Sequence, residues 1–326
     1  YIYIMSFTND SERLIKFLMK HFDSFRSRCN SGLRLSIRRF YSDIEEAHNN
    51  MLDAYNGIDK KVSECVNYDI SRDPLLNSMY VAAEMKQYIA DNATTEIKYS
   101  CNIHDRQIEI IFYMMNGEEP EGVDTLLKRM VTWLYFIIPY ASRECVKKLT
   151  VRCYRCEQVK MLPISEDDII SPINVNSGVA NVCLTSGDIC VYRSEEMFKV
   201  FLHETFHALG LDWISMGDTI VPVKLKELFP ISSDMRVCET YTEFWGNMFN
   251  CMFTAFYLTD NKTSFTLYSE YCIYFEQVFV VLQCAKILKF MGLKYSDLYE
   301  NGEIGDRYRE NSNIFTYFIL KMILML

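Results

Sequence analysis

The segment 191–213, VYRSEEMFKVFLHETFHALGLDW, constrains the fold most, because its spacing predicts a helix that is apolar on nearly every side. Ser194 is a natural N-cap for this helix, glutamates follow in its first turn, and Gly210 stands where a helix typically ends. Inside this apolar setting lie His203 and His207, two of only five histidines in the chain. Two imidazoles one helical turn apart indicate a shared partner.

A divalent metal ion is the partner that this spacing favours. His203 and His207 lie at positions i and i+4 of one helical face, about 5–6 Å apart at Cβ, so both rings can bind one zinc ion. Glu204 is rotated by about 100° from His203, which places its carboxylate beside the ion, where it can take a proton from a water molecule. This is the H-E-x-x-H pattern of zinc hydrolases. The alternative is that both histidines are ordinary core or surface residues.

A catalytic zinc ion needs a third protein ligand and one open position. In zinc motifs that are extended by a third ligand, this ligand stands six residues after the second histidine. Here that position is occupied by Trp213. Asp212 stands one position early, after the glycine that ends the helix, so it is a weak ligand candidate or a group that orients a ligand.

A later apolar segment, 236–253, supplies the stronger candidates. It carries Glu239 and Glu243 on one helical face, with no lysine or arginine four residues away from either. Buried carboxylates without a counterion are costly, and a zinc ion would neutralise them. We expect Glu239 to bind the metal and Glu243 to hydrogen-bond the far nitrogen of a liganding histidine. The reversed roles, or a solvent-facing pair, are the alternatives.

HETFH, followed some thirty residues later by ExxxE, resembles the gluzincin branch of the zincin metallopeptidases, whose pattern is HExxH…ExxxD. The second glutamate departs from that pattern but keeps a carboxylate. The segments 192–213 and 239–245 also resemble uncharacterised metallopeptidases of large nucleocytoplasmic DNA viruses. The resemblance covers about residues 100 to 320 and is specific at the two motifs.

The resemblance implies a catalytic Glu204 that activates water and a peptide substrate that lies antiparallel along an edge strand. The edge strand would be the segment 188–193 or its neighbour 177–183. The resemblance also implies a side chain that stabilises the oxyanion. The candidates for that donor are Tyr241, Tyr308 and Arg309.

The order of the predicted elements is that of an α+β fold. Residues 1–95 are predicted to form a helical N-terminal region, although the alternation in 33–41 favours a strand there. Residues 96–326 are predicted to form a zincin-like metallopeptidase domain. It would have a hairpin, a buried helix, a β-rich run and a second hairpin before the motif helix, with helices after it. The resemblance implies a small mixed sheet whose edge strand lies over the active-site helix.

Composition limits the partners and the location. The net charge of −9 argues against binding nucleic acid through its phosphates. Twelve cysteines scattered through predicted strands and helices favour reduced thiols in a cytoplasmic protein, which could also be packaged in a virion. The apolar segment 313–326 is shorter than the roughly 20 residues of a membrane span and carries Lys321, so a buried C-terminal helix is expected. Membrane contact through that helix is the weaker alternative.

The sequence therefore predicts a zinc-dependent metallopeptidase that acts on a peptide or protein substrate. One alternative is a catalytically silent zincin-fold protein that serves virion structure or assembly, with virion proteins as its partners. Another is a zinc hydrolase that cleaves a bond other than a peptide bond.

Overall fold

A six-stranded mixed sheet forms the centre of the protein, with strand order β1-β2-β3-β4-β6-β5. The computed structural model describes residues 9–26, 31–65, 67–213, 220–300, 304 and 307–326. The strands are β1 (Asp59–Glu64), β2 (Ala93–Ile103), β3 (Arg106–Met115), β4 (Lys148–Tyr154), β5 (Gly178–Ala180) and β6 (Ser186–Val191). The helices are α1 (Asn9–Arg26), α2 (Ser31–Tyr55), α3 (Ala83–Asn92), α4 (Val123–Ile137), α5 (Pro172–Val175), α6 (Met197–Ala208), α7 (Ile220–Leu228), α8 (Val237–Leu258), α9 (Lys262–Phe290), α10 (Asp297–Glu300) and α11 (Lys321–Met325). A π-helical turn, Phe315–Leu320, leads directly into α11.

The α+β prediction is confirmed, and so is the hairpin of β2 and β3, which pair antiparallel. Strands β3, β4 and β6 are parallel, whereas β5 pairs antiparallel with β6 and lies at the edge. Of the two segments expected to supply the edge strand, 188–193 is therefore wrong, because β6 lies between β4 and β5. The alternative, 177–183, contains the edge strand.

The strand expected at 33–41 is wrong, because these residues lie within α2. Ile37, Tyr41 and Ile44 are spaced by four and three residues, and all three are buried. Helical burial therefore outweighs the short alternation that favoured a strand. The buried face of α2 joins the same hydrophobic core as α4 and the sheet, while the proposed boundary between residues 95 and 96 stays a prediction.

The sheet separates two hydrophobic cores because alternate residues of each strand point to opposite faces. The larger core lies between the sheet and helices α4, α6, α8 and α9. The smaller core covers the other face, under α3. Helix α6 is fixed against α4 by a hydrogen bond from Trp133 Nε1 to Thr205 Oγ1 of 2.8 Å. The motif helix is thus held on the sheet by buried contacts.

The predicted buried C-terminal helix is confirmed for the residues that face the core: Phe315, Ile319, Leu320, Met322 and Met325. Helix α9 is the one described helix that is long and apolar enough to cross a membrane, and 33% of its apolar window is buried. One such helix is weak evidence for a span, since a core helix of a soluble protein has the same composition.

Candidate metal centre

The motif helix α6 begins later than predicted and ends where predicted. It starts at Met197 with Glu196 as N-cap, and Ser194 Oγ has no hydrogen-bond partner among the described residues. At the other end Gly210 adopts φ +64°, a left-handed conformation that favours glycine. Its N–H donates to the carbonyl of His207 at 3.1 Å, so the turn that carries this histidine is closed by a glycine cap.

A disulfide between Cys145 and Cys183 lies against this cap and corrects the expectation of reduced thiols throughout. A Cβ at Gly210 would lie 2.9 Å from Cys145 Sγ, so only glycine fits between the helix end and the disulfide. The N–H of Cys183 donates to the carbonyl of His207 at 3.3 Å. The two cysteines are 38 residues apart, so only the fold brings them together.

Three ligand atoms converge at the face of α6 that meets α8. His203 Nε2 and His207 Nε2 are 3.1 Å apart, and Glu239 Oε2 lies 3.3 Å from the first and 3.2 Å from the second. A tetrahedral zinc ion with bonds of 2.0–2.1 Å would hold its ligand atoms about 3.3–3.4 Å apart. The triangle therefore matches three corners of one tetrahedral site, and the buried triad could hold a metal ion.

The other ring nitrogens each meet a carboxylate. Asp212 Oδ2 lies 2.5 Å from His207 Nδ1, and Glu243 Oε2 lies 3.3 Å from His203 Nδ1. Carboxylates in these positions orient the rings and fix which nitrogen is free for a metal. The geometry thus favours Glu239 as ligand and Glu243 as orienting group, and it places Asp212 behind His207 rather than at the metal.

The cluster is buried and rich in negative charge. Burial alone would lower the pKa of His203, but the carboxylates of Glu239 and Glu243 outweigh it, so the pKa is raised. Burial also disfavours the charged form of His207, but Glu239 and Asp212 outweigh this effect, so the pKa of His207 is raised well above its usual value. Burial favours the neutral form of Glu239, yet the two imidazoles hold its pKa far below the ordinary value. Carboxylates thus stabilise positive charge at this point, which suits a cation.

Glu204 lies beside the triad and makes no hydrogen bond among the described residues. Its carboxylate packs on the edge strand, where a Cβ at Gly178 would lie 2.9 Å from Glu204 Oε1. Burial raises the pKa of Glu204, and the charges of Glu239 and Glu243 raise it further, against the lowering effect of the two histidines. A carboxylate with a raised pKa is suited to accept and return a proton near neutral pH.

Two cavities meet at these residues, one of about 670 Å³ and one of about 580 Å³. The residues common to both are Asn176, Gly178, His203, Glu204 and Tyr317. The larger cavity extends past the residues before β5, and the smaller extends past Val179 and Ala180. The candidate metal centre therefore lies at the middle of a cleft that follows the edge of the sheet.

Tyr317 is a cleft residue that the sequence does not single out, because it sits in an apolar segment where tyrosine usually packs in a core. It lies on the π-helical turn, a distortion that is frequent at functional sites. Its ring centroid is 6.3 Å from that of His203. Burial, followed by the charges of Glu239 and Glu204, raises the pKa of Tyr317 well above its usual value, so its hydroxyl stays protonated.

The three donors expected from the resemblance do not line either cavity. Tyr241 packs against Trp213, with ring centroids 4.5 Å apart. Tyr308 is buried, and its hydroxyl has no partner within the described ranges. Arg309 donates to the backbone carbonyl of Glu166 at 2.7 Å. None of them is brought to the triad.

Comparison with known proteins gives no relative from which to transfer a function. No family model matches the chain, and neither curated proteins nor solved structures provide a match. What can be concluded about function therefore rests on the triad, on Glu204 and on the cleft.

Proposed function

We propose that the protein is a zinc-dependent metallopeptidase of the gluzincin type. The observation that carries this proposal is the convergence of His203 Nε2, His207 Nε2 and Glu239 Oε2 at 3.1–3.3 Å beside the carboxylate of Glu204. Two imidazoles and one carboxylate form a ligand set of catalytic zinc sites, which keep the fourth position open. A bound zinc ion would lower the pKa of water and polarise a carbonyl group.

Glu204 is the general base in this proposal. Its carboxylate faces the cleft between the triad and the edge strand, so it can take the proton of the attacking water. Its raised pKa then lets it return that proton to the amine that leaves. Asp212 and Glu243 hold the imidazoles in place during both steps through the far ring nitrogens.

The edge strand β5 would position the substrate. Its outer edge has no neighbouring strand among the described residues, so its N–H and C=O groups can pair with an extended peptide. A peptide antiparallel to β5 enters past Val179 and Ala180 and leaves past residues 174–177. Residues before the scissile bond then occupy the smaller cavity, and residues after it occupy the larger one.

Tyr317 is the donor that we assign to the oxyanion. It lines both cavities at the point where they meet, and its hydroxyl remains protonated over the working pH range of a peptidase. A hydrogen bond given to the developing negative charge stabilises the transition state more than the substrate.

The test compares peptide-library cleavage by the wild type with that by Glu204→Gln. The variant keeps the size of the side chain and removes its basicity, so we expect cleavage to fall at least about 10²-fold while metal content is unchanged. Glu227→Gln, at an exposed position of α7, is the matched control and should cleave normally. Undiminished cleavage by Glu204→Gln, or a wild type without metal, would refute the proposal. A metal-loaded wild type that cleaves no peptide would point to a catalytically silent protein.

A further inference from the structure

The larger cavity, of about 670 Å³, has several charged side chains in its wall beside the candidate metal centre. Helix α6 contributes Lys199, α8 contributes Glu243, and the C-terminal helix contributes Lys321. Under the proposed substrate direction, this cavity receives the residue that follows the scissile bond. Its charges therefore bear on which substrates fit.

Of the lysines Lys160, Lys199 and Lys321 in this wall, Lys321 has the longest distance to its carboxylate partner. Its side chain is 6% exposed, and its Nζ lies 3.7 Å from Glu243 Oε1, beyond hydrogen-bond distance. No described residue accepts a hydrogen bond from this ammonium group, and its Nζ lies 5.6 Å from the ring centroid of Phe318. An ammonium group has three donors. Because Lys321 lines the cavity, these donors can meet a ligand that enters it.

Glu243 cannot fill that role alone, because it is shared. It accepts a hydrogen bond from Lys199 at 2.7 Å and also faces His203 Nδ1 at 3.3 Å. Two ammonium groups, Lys199 and Lys321, thus depend on one carboxylate that is already engaged with the metal centre.

Two other acidic side chains of the wall, Glu196 and Glu276, have partners of their own. Glu196 is paired with Lys160 at 2.8 Å. Glu276 accepts a hydrogen bond from Asn247 at 2.6 Å, and burial raises its pKa, which favours its neutral form. Neither Glu196 nor Glu276 forms a hydrogen bond or an ion pair with Lys321.

We propose that the larger cavity is a carboxylate-binding subsite, in which Lys321 pairs with a carboxylate of the substrate residue that follows the scissile bond. This inference rests on the proposed peptidase function, because that function sets the direction of the substrate. The ligand supplies the acceptor that Lys321 lacks, and Lys199 remains with Glu243. A neutral amide of the same size would leave the charge of Lys321 uncompensated.

The carboxylate has two sources. It is either the side chain of an aspartate or glutamate, which makes the protein selective for acidic residues, or the C-terminus of the peptide, which makes it an enzyme that removes C-terminal residues. Both place the same chemical group within reach of Lys321, and only the position of the group in the substrate differs.

Three mercaptoacetyl ligands separate these sources without requiring turnover: mercaptoacetyl-glutamine amide, mercaptoacetyl-glutamate amide and mercaptoacetyl-glutamine with a free C-terminus. The thiol binds the metal, and the residue after it enters the larger cavity. Calorimetric titration of the zinc-loaded wild type should give a dissociation constant about 10- to 100-fold lower for at least one carboxylate ligand than for the amide. A gain for glutamate amide identifies the side chain, and a gain for free glutamine identifies the C-terminus.

Lys321→Met should abolish this preference at unchanged zinc content, whereas Lys289→Met, at an exposed position on α9, should preserve it. Equal affinity of the wild type for all three ligands would overturn the subsite and leave the proposed peptidase intact. A Lys321→Met variant that retains the preference would overturn the subsite as well. A wild type that holds no metal would instead refute the proposed function. The comparison of ligands on the wild type stands even if Lys321→Met does not fold.

Discussion

Replacing Gly178 with alanine should impair catalysis by displacing Glu204 while sparing the metal ligands. The new Cβ would lie 2.5 Å from Val200 Cγ1, 2.9 Å from Glu204 Oε1 and 3.1 Å from Glu204 Cγ. Ordinary contacts between such atoms are about 3.5–4.0 Å, so the carboxylate must move by roughly 0.5–1 Å. Misplacing a reacting group by about 1 Å can cost about 10²-fold in rate, and overpacking costs about 1–3 kcal/mol of stability.

We therefore expect Gly178→Ala to cleave peptides about 10- to 100-fold more slowly, with the loss in kcat, and to bind zinc with the stoichiometry of the wild type. Steady-state kinetics, metal analysis and urea unfolding measure the three effects. Gly246→Ala is the matched control. Its Cβ would lie 3.6 Å from the nearest atom, in ordinary contact, and alanine in a helix interior should add about 0.5–1 kcal/mol of stability. Wild-type kcat in Gly178→Ala would refute the placement of Glu204 against the edge strand.

Three further substitutions test other parts of the site. Glu243→Gln removes the carboxylate behind His203, so we expect zinc affinity to fall about 10- to 100-fold, measured by chelator competition, with one zinc ion still bound at saturation. Unchanged affinity would contradict that role. Tyr317→Phe should lower kcat about 10²- to 10³-fold with little change in KM or metal content, and wild-type kcat would exclude Tyr317 as the donor. Glu310 accepts the N–H of Phe315, and burial raises its pKa from 4.5 to about 7. Its contribution to stability is full below about pH 4.5 and is lost as the pH rises through 7. Between pH 5 and 8 the wild type should therefore lose roughly 2–3 kcal/mol of unfolding free energy relative to Glu310→Gln, and parallel pH profiles would contradict this.

Much of the site is predictable from the sequence, because ionisable residues stand out in apolar helical segments. His203 and His207 are one turn apart on an apolar helix, and Glu239 and Glu243 are carboxylates on another apolar helix. Burying such groups is unfavourable without a cation, which predicts a shared centre. In the structure Lys199 supplies a cation for Glu243, so this reasoning holds for His203, His207 and Glu239. Which of the two glutamates binds the metal depends on how α8 is rotated against α6, and the sequence alone does not determine that rotation.

Other features depend on tertiary contacts that leave little trace in the sequence. The edge strand β5 has three residues, too few for an alternating pattern. Tyr317 reaches the cleft through a π-helical turn, which shifts side chains away from regular helical spacing. The disulfide of Cys145 and Cys183 joins two loops that only the sheet brings together.

The central claim is that His203, His207 and Glu239 hold one zinc ion. Metal analysis combined with X-ray absorption at the zinc edge tests it most directly. The wild type should contain one zinc ion per chain, with two imidazole nitrogens at about 2.0–2.1 Å and carboxylate oxygen at about 2.0–2.2 Å, and Glu239→Gln should lose the ion on dialysis against a chelator. A wild type without zinc, or a Glu239→Gln variant with an unchanged zinc spectrum, would contradict the claim.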